Sequence, residues 1–113
     1  MKTIFIGDIV GRSGRDVLSN NLVQIKKKYN PDIIIANAEN AASGYGLTKK
    51  IANELFEQGF DALTLGNHAW DQKEMLSFIE ECPKIVRAIN YPDGVPGKGD
   101  YKILLEDGRS LII

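Results

Sequence analysis

Asp8, Glu39, Asn40, Asn67 and His68 are the residues of this chain whose types and spacing could build a reactive centre. Each follows a short apolar run. Residues 3–6 end at Gly7-Asp8, Ile33-Ile34-Ile35-Ala36 leads into Asn37-Ala38-Glu39-Asn40, and residues 61–65 lead into Gly66-Asn67-His68. The three clusters lie roughly thirty residues apart, about the length of one strand–helix–strand unit. Two carboxylates, two amides and one imidazole form an oxygen-rich set with a single nitrogen donor. Such a set suits Mn, Fe, Mg or Zn better than a soft metal bound by thiolates.

Each residue also has a purely structural reading. Asp8 could cap the helix that follows the first strand. Glu39 and Asn40 could fix a turn, and Asn67 after Gly66 suits left-handed backbone. His68 beside Trp70 could be a satisfied, half-buried side chain. Their joint placement at three successive strand ends weighs against all of these readings holding at once.

The elements that must position these residues are legible in the apolar pattern. Residues 3–6, 33–36 and 61–65 read as buried strands, and the unbroken run 33–36 predicts parallel pairing with both faces covered. After the glycine-bearing loop Gly11-Arg12-Ser13-Gly14, Leu18, Leu22, Ile25 and Tyr29 recur with helical spacing. Ser13 and Asp16 have the spacing of an N-terminal cap, and Pro31 stops the helix at Asn30. Thr48 is placed to cap a second helix bearing Ile51, Ala52, Leu55 and Phe56, closed by Gly59. Asp71 and Glu74 read as the capping box of a third, with Met75, Phe78, Ile79 and Cys82 facing inward and Pro83 beyond. A fourth strand is expected near 85–89, and Glu106-Asp107-Gly108-Arg109 between two apolar runs reads as a hairpin. The expected fold class is therefore α/β, a doubly wound, mostly parallel sheet flanked by helices. In such sheets ligands bind beyond the carboxyl ends of the strands, where all five candidate residues fall.

Composition narrows the function classes. A chain of 113 residues has room for one domain, and 43% hydrophobic with 26% charged residues is ordinary for a globular protein. A net charge of -1 gives no bulk electrostatic case for nucleic acid or an anionic membrane. Lys26-Lys27-Lys28 reads as a solvated helix face. The single cysteine, Cys82, sits at an apolar helix position and reads as core. The N-terminal run is too short for a signal peptide, no stretch is long enough to span a membrane, and the expected compartment is the cytoplasm. Gly7, Gly11 and Gly14 match neither the dinucleotide fingerprint nor the P-loop.

Gly7-Asp8-Ile9-Val10-Gly11, Asn37-Ala38-Glu39-Asn40 and Gly66-Asn67-His68 together resemble the calcineurin-type metallophosphoesterases. More narrowly, the chain is similar to the YmdB-type bacterial 2′,3′-cyclic-nucleotide phosphodiesterases, including the stretch Arg87-Ala88-Ile89-Asn90-Tyr91-Pro92. Val10 stands where the wider superfamily usually has a histidine, as in the YmdB-type branch. The resemblance implies the N-terminal half of a metallophosphoesterase α/β sandwich holding two divalent metal ions, iron or manganese first, magnesium or zinc as alternatives. It implies that Asp8 binds the first metal, Glu39 bridges both, Asn40 assists the first and Asn67 the second. His68 is implied as proton donor to the leaving oxygen. The implied substrate is a small phosphoester, a cyclic nucleotide above all. The family completes its metal shells with three later histidines, and this chain has none after His68. The expectation is thus that residues 1–113 are an incomplete, N-terminal portion of the domain. The expected partners are a complementing C-terminal segment or a homo-oligomer, with a non-catalytic nucleotide- or partner-binding module as the alternative.

Overall fold

Short apolar runs, most of them rich in isoleucine, become strands here because β-branched side chains are stiff in a helix and pack well on a pleated surface. In the computed structural model, which describes residues 1–113, four such runs form one sheet. These are β1 (Thr3–Ile6), β2 (Ile33–Asn37), β3 (Ala62–Thr64) and β4 (Ile85–Val86), side by side in that order and all parallel. The connections are α1 (Gly11–Tyr29), α2 (Lys49–Glu57) and α3 (Met75–Glu81). No helix is long and apolar enough to cross a membrane.

Alternation along β2 shows what covers each face. Ile34 and Ala36 join Leu18 and Leu22 of α1, Ile51 and Leu55 of α2, and Met75, Phe78 and Ile79 of α3 in one buried cluster. Ile33 and Ile35 point the other way, with Ala62, onto Ile103. That residue belongs to a hairpin of β5 (Lys102–Leu104) and β6 (Ser110–Ile112), whose antiparallel pairing follows the Asp107-Gly108 turn as expected. Tyr101, Leu105, Leu111 and Ile113 pack on the same cluster. The sheet is therefore parallel, with both faces covered at β2 while Phe5 of β1 stays exposed, but it is not doubly wound. Strand order follows chain order, so every right-handed crossover puts its helix on the same face, and the hairpin takes the other.

Several local expectations hold and several change. Thr48 caps α2, its hydroxyl accepting from the Ile51 N–H at 3.2 Å, and Asn30 ends α1 in left-handed geometry (φ 44°). The first helix begins earlier than the glycine loop suggests. Val10 is its cap residue without a side-chain bond, Ser13 lies inside it, and Asp16 pairs with Arg12 at 3.6 Å. Gly11, at φ +57°, makes this early start feasible by donating its N–H to the Asn40 carbonyl at 2.9 Å. The fourth strand is shorter than expected, ending at Val86, where the backbone bridges the segment at Lys98, the Arg87 N–H donating to the Lys98 carbonyl at 2.9 Å. Lys26 is not simply solvated: its ammonium donates to the Gln58 carbonyl just past α2. Cys82 is half-buried against the main core, and that burial pushes its thiol up, away from the reactive thiolate.

Candidate metal centre

Parallel neighbours share one carboxyl edge, so the ends of β1, β2 and β3 open onto one rim of the sheet. Asp8 leaves that rim two residues after β1, Glu39 and Asn40 just after β2, and Asn67 and His68 just after β3. The loops are tied together by backbone bonds, Ile9 N–H to the Asn37 carbonyl at 3.1 Å and Ala38 N–H to the Thr64 carbonyl at 3.0 Å.

Two side-chain contacts join residues from different strands. The Asn40 amide nitrogen donates to both oxygens of Asp8, at 3.0 Å each. The Glu39 carboxylate accepts the His68 backbone N–H at 3.2 Å and the Asn37 amide at 3.3 Å. Gly66 is what lets Glu39 lie there, since a Cβ at that position would stand 2.5 Å from both carboxylate oxygens. Asp8 and Asn67 are exposed, while Glu39, Asn40 and His68 are half-buried. Asn67 makes no such cross-strand bond. With Gly66, Ala88, Asn90 and Tyr91 it lines an open cleft of about 380 Å³ at the β3–β4 end of the rim.

The helix-capping reading of Asp71 and Glu74 does not survive. Helix α3 starts at Met75, preceded by Glu74 with no side-chain cap. The Glu74 carboxylate instead accepts the Lys49 N–H at the start of α2, at 2.9 Å. The Asp71 carboxylate lies 2.6 Å from His68 Nδ1. An acid three residues from a strand-end histidine is the sequence signal for this pair, and the competing cap pattern masks it.

The donor set of this rim is oxygen-rich, and for a hard-cation site it would be short of donors. No group of three or more His, Cys, Asp or Glu side chains is arranged to hold a metal. What is present is two carboxylates flanked by amides, with no protein cation on either carboxylate among their hydrogen bonds. Oxygen donors of this kind fit Mn, Fe or Mg. Asn40 would have to turn its amide over to offer oxygen in place of nitrogen. The residues fit divalent ions in kind and fall below the four to six donors that each ion takes, by roughly half for a pair.

The chain resembles several known proteins. The chain is 50% identical over 99 residues to the 2′,3′-cyclic-nucleotide 2′-phosphodiesterase of Bacillus subtilis (strain 168), a match covering 88% of this chain and 38% of that protein. It superposes with a TM-score of 0.89 on the crystal structure of a hypothetical protein from Thermus thermophilus, at 42% identity, over 99% of this chain and 43% of the other. A novel phosphatase from Mycoplasma pneumoniae superposes at 0.86 and 37% identity, over 94% and 39%. The chain thus spans about two-fifths of the length of these relatives. The model of one family, described as YmdB-like protein, matches residues 4–113, and the chain belongs to that family.

Proposed function

We propose that this chain supplies part of a two-cation site that hydrolyses phosphodiesters, with small 2′,3′-cyclic nucleotides as the substrate class. The observation that carries this reading is the meeting of Asp8 with Asn40 and of Glu39 with His68 across three adjacent strand ends. The activity of the Bacillus subtilis relative supports the substrate class. In this reading Asp8 and Asn40 would help hold one cation and Asn67 the other, and the Glu39 carboxylate would neutralise charge on both. A bound cation pair supplies positive charge to the phosphate and acidifies the attacking water. The cleft beside Asn67, with Asn90 and Tyr91 on its wall, offers room for the sugar and base next to that phosphate. His68 delivers a proton to the ribose oxygen as it leaves, a step typically worth ~10²–10⁴ in rate. The remaining donors would come from outside residues 1–113, from a C-terminal segment.

The test uses a longer protein in which this chain is continued by the C-terminal segment of the Bacillus subtilis relative. His68→Ala should keep its metals and lose turnover of a cyclic nucleotide by about 10² or more, while hydrolysis of a nitrophenyl ester, whose leaving group needs little protonation, falls far less. Equal losses on both substrates, or turnover that survives chelation, would remove this reading.

A further inference from the structure

We propose that Asp71 is the positioning residue of His68: its carboxylate takes the Nδ1–H of the ring and so leaves Nε2 as the atom that faces the reaction. The inference rests on the reading of His68 as proton donor and adds the group that orients it. The contact is short, 2.6 Å from Nδ1 to Oδ2. It is local, since Asp71 sits on the turn that begins at His68 and donates its own N–H to the His68 carbonyl at 3.4 Å. Both side chains are about one-third exposed, so the pair is neither lost in the core nor freely solvated.

Three further contacts hold the residue, one at the ring and two at its backbone. Tyr45 stands edge-on to it at 6.2 Å between centroids. The Tyr45 loop is fastened by Gln72, whose amide donates to the Tyr45 carbonyl at 2.7 Å. Gly46 in the same loop packs so closely on the His68 carbonyl that an added Cβ would stand 3.1 Å away. Finally, the His68 N–H is fixed on Glu39. With backbone and one ring edge held, the hydrogen bond at Nδ1 selects both the rotamer and the tautomer. A surface pair three residues apart with no further purpose would be free to break; this one closes a set of contacts reaching from β2 to α3. Asp71 is also the carboxylate that the third helix leaves unused, since α3 begins at Met75 without a side-chain cap.

His68 is the only histidine of the chain, which makes the test direct. In ¹⁵N-labelled protein, long-range ¹H–¹⁵N correlations report which ring nitrogen carries the proton, at a pH about two units above the ordinary histidine value. Wild type is expected as the Nδ1–H tautomer. Asp71→Asn is isosteric but can turn its NH₂ toward Nδ1, and should shift the ring to Nε2–H. In the longer protein the same substitution should lower cyclic-nucleotide turnover on the order of 10², with less effect on a nitrophenyl ester and with metal content unchanged. An Nε2–H tautomer in wild type, no tautomer change in Asp71→Asn, or equal losses on both substrates would overturn the proposal. Should the phosphodiesterase reading itself fail, wild type shows no metal-dependent turnover, and the tautomer still decides whether Asp71 positions the ring.

Discussion

Replacing Gly66 by alanine should unseat Glu39 at little expense to the fold. The added Cβ would stand 2.5 Å from each carboxylate oxygen and 2.8 Å from the carbon between them. Comfortable contact needs about 3.5 Å, so the carboxylate must retreat by roughly 1 Å. That lengthens the 3.2 Å bond from the His68 N–H beyond hydrogen-bonding range. A bond to a charged acceptor contributes ~1.5–3 kcal/mol, and this long, half-buried one belongs at the low end. The loss of glycine's unfolded-state freedom offsets about 0.4–1 kcal/mol of that. The net destabilisation is on the order of 1 kcal/mol, a fall in Tm of about 4 °C. Gly7 is the control: it also ends a strand on this rim, and nothing lies within 4 Å of its added Cβ. Thermal melts of both variants, with elemental analysis of the longer protein, form the assay. A small Tm loss with a large metal loss is expected for Gly66→Ala, and neither for Gly7→Ala. Full metal retention in Gly66→Ala, or matching behaviour of the two variants, would refute it.

Other consequences follow from the same contacts. Residues 1–113 alone should show negligible cyclic-nucleotide hydrolysis with added Mn²⁺ or Fe²⁺, and mixing with the remaining segment of the longer protein should restore it; robust chelator-sensitive turnover by the lone chain would contradict the donor count. The Lys2 backbone N–H, above all, and Arg109 hold the Asp32 carboxyl below its usual range. A depressed carboxyl stabilises the fold above its unfolded value near pH ~4 and loses that contribution as pH falls further. Hairpin amides at β5 and β6 should therefore exchange faster below about pH 4, and Arg109→Ala, which removes the Arg109–Asp32 pair at 3.3 Å, should flatten that dependence. Thr48→Ala should cost about 1 kcal/mol in denaturant unfolding, through loss of the α2 cap.

Strand positions and the rim they create are readable in the sequence because period and junction are local properties. Ile33–Ala36 announces a strand with two covered faces, and it has them, yet an apolar run says nothing about what does the covering. Hence a doubly wound pattern places helices on both sides, whereas strand order puts all three on one and leaves the other to the hairpin. Asp8, Glu39, Asn40, Asn67 and His68 emerge from strand ends alone. Asp71 does not, because an acid before a helix serves equally as a cap or as a partner for a side chain, and only packing decides. The start of α1 is hidden for a similar reason. Gly11 reads as loop until the Asn40 carbonyl, distant in sequence, is there to receive its N–H.

The most direct test of the central claim is the metal content of the longer protein as isolated, compared between wild type, Glu39→Gln and Asn40→Ala. Glutamine keeps the shape of Glu39 and removes the charge that two cations would share, whereas Asn40 contributes only a dipole. Close to two metal ions per chain are expected in wild type, with a severe loss in Glu39→Gln and a milder one in Asn40→Ala. Equal retention in the two variants, or a wild type free of metal and active on cyclic nucleotides, would contradict it.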